Sequence, residues 1–273
     1  MARIVAAAAA SHSPGITAFV DMVDPEIVER YHGAMHRVAD HFAQAEVDVL
    51  VVITNEHFVN FYLNNVPSLC IGTASAFTGP VEPFLRIPHT EIPGDRPFAK
   101  DLVRDALDSG FDVAFSEELK FDHGTMVPLH FVNPDMRIPI VPVMVNNLYE
   151  PLPSPARLYD FGRFLGRAIA DHPSDRRVGL LATGGLSHKV GTPDAGELDP
   201  DFDRAFLAEL VAGNGSKLAA THSATLAQVG NGTHEVRNWI CVMGAIGDVP
   251  GTVEAYEPVP EWATGCGVAT WTL

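Results

Sequence analysis

Cysteine is scarce in this sequence: Cys70, Cys241 and Cys266 are the only three, and they stand far apart. An odd number without a CxxC pair supports neither a disulfide framework nor a thiolate zinc site, and it fits a reducing, cytoplasmic setting. Basic residues are few as well, 18 Lys and Arg against 34 Asp and Glu in 273 residues, which gives a formal charge of −16. Such a charge repels phosphate backbones and anionic lipid, so neither nucleic acid nor a membrane surface is an expected partner. No apolar run approaches the roughly 18 residues of a membrane span. The run from Ile4 to Ala10 after Arg3 has the lower-limit length of a signal peptide, but it is rich in weakly apolar alanine and reads as a first buried strand. Also missing are the GxSxG elbow, the GxxxxGK[ST] loop and the GxGxxG fingerprint, which removes the commonest hydrolase, NTPase and dinucleotide-binding readings.

What is present alternates between helix and strand patterns. Asp24-Pro25 followed by Ile27, Val28, Tyr31, Met35, Val38 and Phe42 predicts a capped helix over about 24–46. It runs into Val47 to Thr54, a β-branched stretch typical of a parallel strand buried on both faces. Helices near 97–109 and 155–171 and strands at 111–115, 138–145 and 178–183 continue the alternation. Helical stretches follow near 201–212, 216–228 and 234–246, then loop and strand from Val253 to Leu273. The proline-rich piece from Pro80 to Pro97 reads as an excursion over a site. The expectation is an α/β fold, a three-layer sandwich with a central, largely parallel or mixed sheet flanked by helices, in one domain over residues 1–273.

Twelve histidines direct attention to imidazole, the usual general base and the commonest metal ligand. His12, His57 and His188 each lie just past the carboxyl end of an expected strand, the edge at which open α/β sheets bind ligands. His123, in a polar break at Asp122-His123-Gly124, and Glu235, near the start of the last helix, fit the same site. An acid at a helix start also has a plain capping and dipole explanation. HExxH is excluded because Asn238 stands where its second histidine would be. Four histidines and one glutamate on separate loops match a two-histidine, one-carboxylate non-haem iron site, and thiolate-poor sets of this kind also hold zinc. Spacing leaves both open. His32, His36, His41, His89, His130, His172 and His222 read as structural.

Six segments taken together resemble the class III extradiol ring-cleavage dioxygenases: SHSP at 11–14, NEHFVNF at 55–61, DHG at 122–124, GGLSH at 184–188, THEVRNW at 233–239 and PVPEW at 258–262. The resemblance spans the chain and includes the protocatechuate 4,5-dioxygenase β subunit, 2,3-dihydroxyphenylpropionate 1,2-dioxygenase and aminophenol dioxygenase-like enzymes. It implies Fe(II) held by His12, His57 and Glu235, with His188 as the acid–base group and His123 as the histidine lining the oxygen side. It also implies a small aromatic diol or aminophenol and O2 as the reactants, with a ring-opened semialdehyde as product. The stretch 189–230 is shorter than in the dihydroxyphenylpropionate enzymes and looks more like the aminophenol and biphenyl-diol branch. A homo-oligomer is the default expectation, with a small accessory subunit as in the protocatechuate enzymes as the variant. A non-catalytic binding or signalling member of the fold and a zinc-dependent hydrolase are the competing functions. Lys120, Lys189, Arg86 and Arg237 are candidates to meet a substrate carboxylate; Phe58, Phe61, Tyr62 and Phe77 could supply an apolar pocket, with plain core packing the favoured explanation for them.

Overall fold

A computed structural model describes residues 1–273. Its strands are β1 (Arg3–Ala10), β2 (Val49–Thr54), β3 (Leu69–Gly72), β4 (Ala76–Gly79), β5 (Thr90–Pro93), β6 (Ala114–Ser116), β7 (Ile140–Val145), β8 (Arg177–Thr183), β9 (Thr252–Val259) and β10 (Thr264–Thr272). Its helices are α1 (Gly15–Ala18), α2 (Pro25–Gln44), α3 (Arg96–Asp108), α4 (His123–Val132), α5 (Pro155–Asp171), α6 (Pro200–Val211), α7 (Gly215–Ala219), α8 (Ser223–Val229) and α9 (Val236–Ile246). Eight strands form one mixed sheet in the order β6-β3-β7-β2-β8-β1-β10-β9, and β4 and β5 pair separately. The middle of the sheet is parallel: β7 with β2, β2 with β8, β8 with β1. On one side β10 pairs antiparallel with β1 and with β9.

Alternate residues of each central strand serve two separate cores, which makes the architecture a three-layer sandwich. Val49, Val51 and Ile53 of β2 face a layer built on α3, α5 and α9, while Leu50 and Val52 face α2 and α4. β1 divides its alanines in the same way, Ala7 and Ala9 to the first layer and Ala6, Ala8 and Ala10 to the second. A strand buried on both faces has no polar face, which is why these segments read as continuous apolar runs. Small side chains in β1 let helices approach the sheet closely. The first turn of α2 behaves as its sequence dictates, with Asp24 accepting from the Glu26 N–H at 2.9 Å and Pro25 at the first helical position. All three cysteines are buried: Cys70 in β3, Cys241 in α9 and Cys266 in β10.

Several segments differ from the pattern reading. The stretch expected as loop and strand from Val253 onward is a hairpin of two long strands; β9 is a half-exposed edge carrying Glu254 and Glu257, so its charges mask the strand pattern. The helix expected over 216–228 is divided into α7 and α8 around Ala220–His222. Residues 122–124, expected as a polar break, cap and open α4, a mostly buried helix that tolerates Pro128 in its interior. The strand expected at 111–115 shrinks to β6, because Phe111 and Val113 turn into the core.

Helices α5 and α9 approach backbone to backbone at small residues. A Cβ added at Gly162 would lie 1.9 Å from the Cys241 carbonyl oxygen, and one at Gly244 would lie 2.2 Å from that of Tyr159. Gly162→Ala is therefore expected to push the two helices apart and destabilise the chain by about 2 kcal/mol, as over-packing does. A urea denaturation midpoint equal to that of the parent would contradict this packing.

Candidate metal centre and active site

Because β2, β8 and β1 are adjacent and parallel, the loops after them open on one edge of the sheet. His57, His188 and His12 stand on those three loops. Glu235 stands on the 3-10 turn Thr233–Glu235 that leads into α9, and His123 is the first residue of α4. All five residues singled out in the sequence come together. Glu235 lies 3.1 Å (Oε2) from His12 Nε2, 3.4 Å (Oε1) from His57 Nε2 and 3.6 Å (Oε2) from His188 Nε2. The His57 and His123 rings stack with centroids 4.0 Å apart, and His12 meets both edge-on at 5.2 and 5.7 Å.

Each imidazole is held from behind. His12 Nδ1 faces Thr183 Oγ1 at 3.1 Å, His57 Nδ1 faces Asp122 Oδ2 at 3.2 Å, and His123 Nδ1 faces Glu82 Oε1 at 2.5 Å. His188 Nδ1 faces the Leu186 carbonyl at 3.0 Å, so this nitrogen carries the proton and Nε2 presents its lone pair to the cluster. The His188 ring is seated between two glycines, since a Cβ on Gly232 would lie 2.1 Å from its Nε2 and one on Gly185 would lie 2.9 Å from its Nδ1. Glu235 is further fixed by the Gly185 N–H at 2.7 Å and the Asn55 side-chain amide at 3.0 Å. Asp122, Glu82, Asn55 and Thr183 were not marked in the sequence as part of the site. Asn55 and Asp122 lie beside marked histidines, but no local signal ties Glu82 to His123.

Burial and charge set the protonation of the cluster. Burial alone would raise the Glu235 carboxyl, but His12 and His188 beside it outweigh burial and hold it well below the usual carboxylate range. For His57, burial works against the charged ring, yet Asp122 and Glu235 prevail and its pKa is raised to about 10. Burial lowers the pKa of His188 and, together with the nearby His57, that of His123.

Two overlapping donor sets suit a metal ion. His12, His57 and His123 bring their ligand atoms within 4.8 Å of one another, and His12 and His57 also share Glu235. The fit is chemical as well as geometric, because a histidine ligand ordinarily donates its other ring N–H to an oxygen, as every Nδ1 here can. The cluster lies in a cavity of about 710 Å³, whose apolar wall includes Phe19, Phe58, Leu148, Leu152, Val190 and Trp262. Of the candidates for substrate contact, Lys189 and Phe58 line it; Lys120, Arg86, Arg237, Phe61, Tyr62 and Phe77 do not. Phe77 is instead packed in the core.

The family model described as the catalytic LigB subunit of aromatic ring-opening dioxygenase matches residues 6–267. The chain belongs to this family. Among curated relatives of this LigB-family chain is a 2,3-dihydroxyphenylpropionate/2,3-dihydroxicinnamic acid 1,2-dioxygenase of Rhodococcus sp., 30% identical over a gapped alignment of 319 positions that covers 97% of this chain and 98% of the relative. Enzymes of the same name from Paraburkholderia xenovorans (30% identical, 94% of each chain) and Klebsiella pneumoniae (25% identical, 94% of this chain and 95% of the relative) also match. The crystal structure of an uncharacterized Escherichia coli K12 protein shares the fold with a TM-score of 0.60, at 17% identity and over 98% of this chain and 99% of that one. No helix of the LigB-family chain is long and apolar enough to cross a membrane.

With its pKa raised to about 10, His57 is protonated at neutral pH in the metal-free protein, whereas a metal accepts only the neutral ring. Titrating a divalent metal into metal-free protein at pH 7 in weak buffer is expected to release about one proton per site. Binding without proton release, followed by pH-stat or by calorimetry in two buffers, would remove His57 from the ligand set.

Proposed function

We propose that the chain is an Fe(II)-dependent extradiol dioxygenase, a single catalytic domain over residues 1–273 that opens a catecholic or aminophenolic ring beside its hydroxyls. The observation that carries this reading is the buried Glu235 carboxylate within 3.4 Å of Nε2 atoms of both His12 and His57, at the floor of a cavity large enough for an aromatic ring. Two neutral imidazoles and one carboxylate are the donor set of non-haem iron oxygen enzymes. Glu235 completes the set better than His123, because its charge offsets that of a dication and its separations from both rings are those of neighbouring ligands around one small cation. Held by His12, His57 and Glu235, Fe(II) would supply the redox chemistry that joins a catechol to O2.

The remaining steps belong to the protein. His188, buried and neutral at pH 7, takes a hydroxyl proton of the diol on Nε2 while its Nδ1–H stays on the Leu186 carbonyl. His123 faces the cluster on the other side, and Glu82 behind its Nδ1 stabilises the ring when it carries a proton, so it accepts and returns a proton on the oxygen side. The apolar wall excludes water and holds the ring. Both atoms of O2 enter the product, and the proton held by His188 is returned to it.

Oxygen uptake by protein loaded anaerobically with Fe(II) tests the reading against a panel of protocatechuate, gallate, 2,3-dihydroxyphenylpropionate, catechol and 2-aminophenol. Uptake matched one to one by a yellow ring-opened product is expected. Hydrolytic activity with zinc and no O2 consumption would overturn it in favour of a zinc hydrolase, since d¹⁰ zinc has no redox chemistry. His12→Ala, His57→Ala and Glu235→Ala are expected to lose the metal. His188→Ala is expected to keep the metal and lose about 10²-fold or more in turnover. Gly232→Ala, which crowds the His188 ring, is expected to act in the same direction with the metal retained. Full activity in His188→Ala would end the acid–base assignment.

A further inference from the structure

The electrostatics of the cavity point to a narrower class of ring. Lys189 is the only lysine or arginine in the cavity wall. Its ammonium is already engaged by two carboxylates of the following loop, donating to Asp194 and, at 2.9 Å, to Glu197. Glu150 and Glu261 also line the cavity. Arg237 is fully buried and absent from the lining, donating at 3.0 Å to the His234 carbonyl and at 3.0 Å to Ser223 Oγ; its charge reaches Glu150 without offering the cavity a donor. An anionic tail entering the cavity would thus meet a neutralised lysine and two acids, in a chain whose formal charge is −16.

The mouth is apolar where exposed surface is ordinarily polar. Phe19 and Phe58, both cavity-lining, are 43% and 54% exposed, and Val190 is 54% exposed. The Phe19 and Phe58 rings have aromatic partners, and the backbone at Val190 and Phe58 is fixed. Phe19 stacks on Phe84 with centroids 6.3 Å apart. Val190 is clamped through both its N–H and its carbonyl by the Asn231 amide, each at 2.8 Å. Phe58 sits in the left-handed region at φ 63°, a conformation costly for an aromatic residue, while the Glu56 carboxylate accepts the Val59 and Asn60 N–H groups next to it at 2.5 and 2.7 Å. Exposed apolar side chains around a site mark a surface that receives an apolar group.

We propose that the substrate is a catechol bearing an uncharged apolar substituent, alkyl or aryl, and that the Lys189–Asp194–Glu197 cluster with Glu150 and Glu261 turns away carboxylated rings. This rests on the ring-cleavage reading above and deepens it. The substituent leaves the metal cluster along Phe19, Phe58 and Val190. The paired lysine closes the loop over residues 189–197 instead of binding substrate.

A matched pair of rings tests it: 3-propylcatechol and 2,3-dihydroxyphenylpropionate, which differ at the end of the side chain by a methyl against a carboxylate. The Fe(II)-loaded protein is expected to favour the propyl ring in kcat/KM by about tenfold or more, and the ratio is expected to shrink as salt screens the wall. Anaerobic equilibrium binding to metal-free protein, read through the fluorescence of Trp262 in the cavity wall, should show the same order. In the D194N/E197Q variant, which frees the Lys189 ammonium, the ratio is expected to move toward the acid by about tenfold. A parent protein that cleaves both rings but prefers the acid would overturn this proposal and leave the ring-cleavage reading intact. Cleavage of another ring of the panel above but of neither of these two by demonstrably iron-loaded protein would likewise overturn this proposal alone, whereas consumption of no ring at all would overturn the ring-cleavage reading and this proposal with it.

Discussion

One buried carboxylate organises the site. Glu235 is 1% exposed, and an uncompensated charge at such depth would cost several kcal/mol. Its compensation comes from every direction: His12, His57 and His188, the Gly185 N–H and the Asn55 amide. No single loop supplies these groups, so the carboxylate is stable only when β1, β2 and β8 lie side by side with their carboxyl ends level. Asn238, one turn further along α9, ties that helix to the same strand ends through the Asn55 side chain at 3.1 Å and the Thr183 carbonyl at 3.0 Å. Sheet order, helix placement and site are thus mutually dependent.

Around the carboxylate the polarity alternates outward. Imidazoles surround Glu235, and oxygen acceptors in turn surround the imidazoles: Thr183, Asp122, Glu82 and the Leu186 carbonyl. The outer acceptors anchor each ring through Nδ1 and so direct Nε2 inward. That arrangement gives the histidines distinct tasks. His57, backed by the buried Asp122 and facing Glu235, has its pKa raised to about 10, while burial lowers that of His188.

The parts of this molecule that were readable in the sequence are those governed by local rules. The doubly buried strands β2, β7 and β8 showed as β-branched runs, α2 and α5 showed through caps and helical spacing, and three site histidines showed through their position after strands. Elements whose pattern depends on distant neighbours did not show. The alternating charges of β9 make sense only against β10, and the apolar sequence of α4 lacks a polar face because both sides are covered. Glu82 reaches His123 across a long excursion of the chain, a pairing for which the sequence holds no local marker.

The placement of the three thiols has a consequence for chemical durability. Catechols oxidise readily to quinones, which alkylate thiolates, and the nucleophile in that reaction is the ionised sulfur. Burial pushes the Cys70 thiol up to about 12 and the Cys241 and Cys266 thiols higher still, so all three remain protonated and shielded at neutral pH. For a protein whose proposed substrate is prone to such oxidation, this leaves no reactive sulfur for a stray electrophile to capture and none to compete with imidazole for the metal.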